Sequence, residues 1–118
     1  MVRSTDGTSG QYFASLLNRL GIAEAMRGKI VLGPSGRVGE LVTRGEAAMA
    51  VQQIPELLPV TGAQYVGPFP PELQLYTVFS AGIAAASRQH DAAKAFVDAI
   101  TTSDAVALFK AAGLDPVR

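Results

Sequence analysis

The sequence contains no cysteine and a single histidine in 118 residues. Without cysteine neither a disulfide framework nor a thiolate metal site can form. One imidazole also falls short of the histidine sets from which the remaining zinc sites are built. No metal and no cofactor is therefore expected. An excess of either charge is missing too, since ten Lys plus Arg balance ten Asp plus Glu. The basic residues are scattered singly, from Arg3 and Arg19 to Lys110 and Arg118. No basic stripe interleaved with aromatics supports a nucleic-acid partner. Long apolar runs are absent as well. The best candidate, Val78 to Ala86, is interrupted by Ser80 and Gly82 and falls short of the roughly 18 to 20 residues of a membrane span. The opening residues, Met1 to Gly7, lack the charged-then-apolar pattern of a secretory signal. The chain as it stands is accordingly expected in the cytoplasm.

What is present is apolar content: 48% of residues are hydrophobic and the mean hydropathy is +0.24. A domain this small buries a modest share of its surface. Such a composition implies tight packing or an apolar face kept for a partner. Much of the apolar content is alanine.

Asp6-Gly7-Thr8-Ser9-Gly10 is a turn cluster rich in capping side chains, and Phe13, Leu16, Leu17 and Leu20 follow at helical spacing up to Gly21. This predicts a helix from about Gly10 to Leu20, with a second short helix through Ala23 to Arg27. Ile30-Val31-Leu32 reads as a buried strand, Gly33-Pro34-Ser35-Gly36 as a turn, and Val38, Leu41 and Val42 as one face of a short helix ending near Gly45. Ala48 to Gln52 reads as a strand, Pro55 as an early helical position, and Tyr65-Val66 as a brief strand before Pro68-Phe69-Pro70-Pro71. Thr77 to Ala86 reads as a further strand. Two helices close the chain, from about Asp91 to Thr101 and from after Ser103 to Gly113. Alternating helices and short strands predict an α/β domain with a small, mostly parallel sheet flanked by helices. The proline stretch suggests a boundary, giving an α/β lobe over 1–67 and a hinge, crossover strand and helical pair over 68–118.

Catalysis finds little support in the residue pattern. His90 stands just ahead of a helix, where a surface role is the simpler reading. The carboxylates are dispersed, and Ser9 has the outline of a nucleophile turn without a matching histidine. No enzyme is expected. Anion binding is better supported. Thr8, Ser9 and Gly10 open the strongest helix, where main-chain N–H groups and the positive dipole end collect. Ser35 to Gly39 opens a second helix in the same way, and Gln52 and Gln53 end a strand with paired amides. Clefts in open α/β folds lie beyond strand carboxyl ends. Capping alone would explain Thr8 and Ser9 equally simply, and an exposed strand end would explain the two glutamines.

Several segments in order resemble the second half of molybdate-type extracellular solute-binding proteins. They are Asp6 to Tyr12, Leu16 to Gly21, Gly45-Glu46-Ala47 ahead of Gln52-Gln53, Val66 to Pro70 with Glu72-Leu73-Gln74, and Thr77 to Gly82. Two helices ending in Gly113-Leu114-Asp115-Pro116 complete the likeness. The resemblance implies a partial type 2 periplasmic binding fold, one lobe of a two-lobed periplasmic protein that closes on an oxyanion and hands it to an ABC transporter permease. It also implies that Ser9 with its neighbours Thr8 and Gly10, Val38, and Gln53 face the ligand with neutral donors. Molybdate binders commonly carry tyrosine near Gln53, which widens the expected ligand to another oxyanion or a small organic acid. With one wall of the cleft, the chain is expected to bind more weakly than a two-lobed protein. Surfaces along Val78, Phe79, Ile83, Phe96 and Phe109 are expected to be covered by self-association or by segment exchange in a dimer. The rival expectation is an intracellular effector-binding or regulatory module on the same fold, acting by oligomerisation.

Overall fold

Residues 1–4 and 7–116 are described by a computed structural model. The described chain is helix-rich, with three short strands. It divides by its contacts into two units, Met1–Leu75 and Tyr76–Arg118.

In the first unit the strand β1 (Val2–Ser4) lies between β2 (Val31–Gly33) and β3 (Ala50–Val51). Both pairings are parallel, with Val2 opposite Val31 on one side and Ala50 on the other. Parallel neighbours require a crossover between them, and helices supply it. The helix α1 (Thr8–Arg19) follows β1, and α2 (Ala23–Arg27) leads to β2. The helix α3 (Val38–Thr43) then leads to β3, which runs directly into α4 (Ile54–Leu57).

Consecutive strand residues point to opposite faces, and β3 shows how the layers are filled. Ala50 packs against buried Val38, Leu41 and Ala47 on the α3 side. Val51 packs against buried Phe13, Leu16 and Leu17 of α1, together with Met1, Tyr12, Met26 and Ile30. The two helices thus cover opposite faces of the small sheet. The spacing of Phe13, Leu16 and Leu17 is the i, i+3, i+4 stripe of a helix with one buried face.

The helix stops have a local cause. Gly21 adopts a φ of +70°, which carries little cost without a Cβ. Gly21 N–H donates to Asn18 O at 3.0 Å and Ile22 N–H to Leu17 O at 3.0 Å, the paired closure of a Schellman motif. The same pair ends α3, from Gly45 to Val42 O and from Glu46 to Leu41 O.

The first unit extends past the proline stretch. Phe69 stacks on Phe13 with ring centroids 6.2 Å apart and planes 9° from parallel. Tyr12 Oη donates to Leu73 O at 2.6 Å, and Gln74 Oε1 accepts from Phe69 N–H at 3.0 Å. Residues expected to open a second segment are thereby fastened to α1.

In the second unit Thr77 to Ala86 forms no strand. Its β-branched and aromatic residues favour extended backbone, yet no strand lies paired beside it among the described residues, and an unpaired strand has no ladder to hold it. Tyr65-Val66, in the first unit, likewise forms no strand. Gly67 with φ +140° and Pro68 follow at once and end any extended run. The helices α5 (His90–Ile100) and α6 (Ser103–Ala111) form as expected within a residue or so. Thr102, one position ahead of the expected cap, accepts from Ala105 N–H. Ala93, Val97 and Ile100 are half-buried, whereas Phe96 is 65% exposed.

Leu16 is 2% exposed, so Leu16→Ala should cost about 2–5 kcal/mol in urea unfolding, the range for a truncated core leucine. A Cβ on Gly39 would lie 2.8 Å from Val60 Cγ2. Gly39→Ala should therefore lower stability by about 1–3 kcal/mol through overpacking, and the added change Val60→Ala should recover part of that loss.

Candidate functional site

The parallel register brings the carboxyl ends of all three strands to one edge. From that edge β1 leads to the opening of α1, β2 to the opening of α3, and β3 to the opening of α4. The expected site residues lie on these openings, except that Asp6 of the first turn cluster falls outside the described residues.

Ser9 stands in the first turn of α1 and is half-buried. Its hydroxyl donates to Gln52 Oε1 across the gap between α1 and the end of β3. Gln52 Oε1 also accepts the main-chain N–H of Gln53 at 3.0 Å. Because an N–H donates there, the oxygen of the Gln52 amide is fixed in place and its nitrogen is the free end. Gln52 Nε2 is buried and has no hydrogen-bond partner. The structure thus joins Ser9 and Gln53 through Gln52, and Ser9 is tied to more than its own helix.

The other expected residues are placed differently. Thr8 is the exposed first residue of α1, and Gly10 is buried beneath it. Val38 is 0% exposed and sits in the core with Leu41 and Ala47. Any part it takes in a site is played by its main chain at the start of α3. Gln53 caps α4 in extended backbone, its carbonyl accepting Glu56 N–H at 3.0 Å. The cation nearest the second opening, Arg37, is held by Glu40, with Nη2 to Oε2 at 2.9 Å. The hydrogen bond from Arg37, joined by attraction to Arg37 and Arg44, keeps the Glu40 carboxyl below its ordinary range. The amide nitrogen of Gln52, whose oxygen is held by the Ser9 hydroxyl, is left as a neutral donor at the first opening.

Glu56 escaped the sequence reading. It lies in the first turn of α4, its Oε2 is buried without a hydrogen-bond partner, and burial raises its pKa above the ordinary 4.5. An acid following Pro55 directly after a strand end was the one signal in the sequence. His90 is exposed at the start of α5, its Nε2 3.2 Å from Ala85 O. A separate open hollow of about 320 Å³ lies between α1 and α2, lined by Leu17, Asn18, Glu24, Arg27 and Ile30, with Glu24 and Arg27 ion-paired on its rim. Among the described residues no cluster of three metal-ligating side chains occurs, and no helix is long and apolar enough to cross a membrane.

A family profile described as "Bacterial extracellular solute-binding protein" matches residues 1–115. A protein from Pseudomonas sp. named aconitate isomerase is 32% identical over 117 residues, which cover 98% of this chain and 45% of that protein. The chain therefore spans less than half the length of this relative. No solved structure matches. The relative's name corrects the expectation that no enzyme is involved: a protein that matches nearly the whole of this chain over 45% of its own length is named an isomerase. Scarcity of histidine and cysteine excluded nucleophile–base and metal chemistry. A proton shift carried by a carboxylate needs neither, and the half-buried setting of Glu56 is invisible to a count of residue types.

The folded Glu56 holds its proton more tightly than the unfolded chain does. The Glu56 contribution to folding stability should therefore be greatest below the ordinary glutamate range and should decline as pH rises from 4.5 through the raised folded value. Urea unfolding across pH 4 to 8 (a span of about four units around the carboxylate range) should show that decline in the difference between wild type and Glu56→Gln, while Glu40, held low, contributes equally to both.

Proposed function

Because the chain belongs to the bacterial extracellular solute-binding family, we propose that it is a ligand-binding lobe whose Ser9–Gln52–Gln53 cluster takes a carboxylate of a small polycarboxylic acid of the aconitate class. The activity we assign to the protein is isomerisation of that acid. The observation that carries this reading is the Gln52 amide. Its oxygen is engaged by Ser9 and by the Gln53 main chain, and its buried nitrogen presents N–H donors without a protein acceptor. A buried donor left unpaired is costly, and a carboxylate oxygen would satisfy it. The aconitate isomerase relative supports the choice of acid. The small parallel sheet with ligand groups beyond its carboxyl ends is what a lobe of a type 2 periplasmic binding fold would present.

In a second reading, which the family description supports only as far as extracellular solute binding, the protein carries a small oxyanion such as molybdate to an ABC transporter from outside the cytoplasm. Both readings use the same donors and differ in the guest.

Exposed apolar residues in the second unit support self-association as part of the proposal. Phe79 is 71% and Leu108 72% exposed, with Val78, Ile83 and Phe96 also exposed, while Phe109, expected among them, is half-buried. Sedimentation should show a species heavier than 12.3 kDa whose population grows with concentration, and the double change Phe79→Ser with Leu108→Ser should reduce it. A concentration-independent monomer would rule this part out.

Thermal unfolding with cis- and trans-aconitate, citrate and molybdate tests the ligand. At about tenfold excess over Kd, the bound acid should add about 1.4 kcal/mol and raise Tm by several degrees. Ser9→Ala should remove most of that rise. A shift with molybdate and none with the tricarboxylates would favour the transport reading instead.

A further inference from the structure

We infer that Glu56 is the proton-exchanging group of this site and that Gln52 Nε2 holds the substrate carboxylate beside it, an inference that rests on the isomerase reading above. Two buried side-chain polar atoms among the described residues lack a hydrogen-bond partner, and both belong to one short segment at the end of β3. One is a donor, Gln52 Nε2, and the other an acceptor, Glu56 Oε2. The segment is held by Glu56 N–H to Gln53 O and Gln53 N–H to Gln52 Oε1, each 3.0 Å, and by Ser9 from α1. These bonds occupy the main chain and the amide oxygen and leave the amide N–H groups and one carboxylate oxygen uncommitted. Buried polar atoms are ordinarily paired. A guest that accepts at one point and yields a proton at another would satisfy both.

Aconitate is such a guest. Its three-carbon allylic unit carries a methylene at one end, a vinylic C–H at the other, and carboxylates on all three carbons. The ionised Glu56 removes a methylene proton. The electron pair of that C–H bond spreads over the allylic unit and into the terminal carboxylates. Glu56 then returns the proton to the former vinylic carbon, and the double bond reforms one position along with either geometry. One proton is taken and one is given back, with exchange against solvent while it sits on Glu56, and no oxidant, reductant or second substrate is consumed. The Gln52 N–H groups stabilise the carboxylate on which charge accumulates. Burial that makes the ionised Glu56 more basic than an ordinary carboxylate assists removal of a carbon-bound proton.

The test is proton NMR of trans-aconitate with the protein in D₂O, with binding followed separately by calorimetry. The wild type should bind the acid, wash deuterium into the methylene and vinylic positions, and form the cis isomer. Glu56→Gln should keep Kd within about threefold and slow exchange by about 100-fold or more, the range for loss of a general base. Glu56→Asp, which keeps the acid, should retain part of the exchange, and circular dichroism should show both variants folded. Exchange at the wild-type rate in Glu56→Gln, or binding by the wild type without any exchange, overturns this inference and leaves the anion site standing. Absence of binding by the wild type overturns the anion site and this inference together.

Discussion

The parallel pairing of β1 with a neighbour on each side is the constraint on which the first unit depends. Three-residue strands contribute few hydrogen bonds, yet parallel direction aligns their carboxyl ends at one edge. The placement of the proposed site residues follows from that alignment. Ser9 comes shortly after β1, and Gln52 comes directly after β3. They meet because β1 and β3 are adjacent, not because they are near in sequence. An antiparallel partner in either place would send one of them to the far end of the sheet.

The helices hold this edge still by burying opposite faces. Phe13, Leu16 and Leu17 cover one side, and Val38, Leu41 and Ala47 the other. Val38 shows how the two demands divide a single residue. Its position at the opening of α3 is suited to contributing main-chain groups, while its side chain is committed to the core. Polar side chains such as Ser9 and Gln52 are left at the openings, while packing falls to the apolar residues of the helices.

Most of the helical skeleton was legible in the sequence, because apolar spacing and glycine stops are local signals. The stripe through Phe13, Leu16 and Leu17 and the stops at Gly21, Gly45 and Gly113 needed no tertiary information. The strand β1 was not legible: Val2-Arg3-Ser4 is too short for an alternation, and its state is set by the strands on either side. The opposite error arose at Thr77 to Ala86, where composition favours a strand that the described backbone gives no partner. At the site, the two adjacent amides could be recognised as a pair, but strand geometry turns neighbours to opposite sides. Only the fold shows that Gln52 is the one that reaches Ser9. Glu56 was missed for the same reason, since its chemistry comes from burial and not from its neighbours in sequence. The absence of an obvious catalytic residue therefore carried less weight against catalysis than composition suggested, as the isomerase relative shows.

The stacking of Phe69 on Phe13 and the bond from Tyr12 to Leu73 O also have a mechanical meaning. The chain leaving the first unit at Leu75 is anchored to α1 at Tyr12 and Phe13, about one turn from Ser9. A pull on that exit strap is borne first by an aromatic pair and one hydrogen bond, one helical turn from the Ser9 hydroxyl. The strap and the Ser9 turn are in this way fastened to the same stretch of helix.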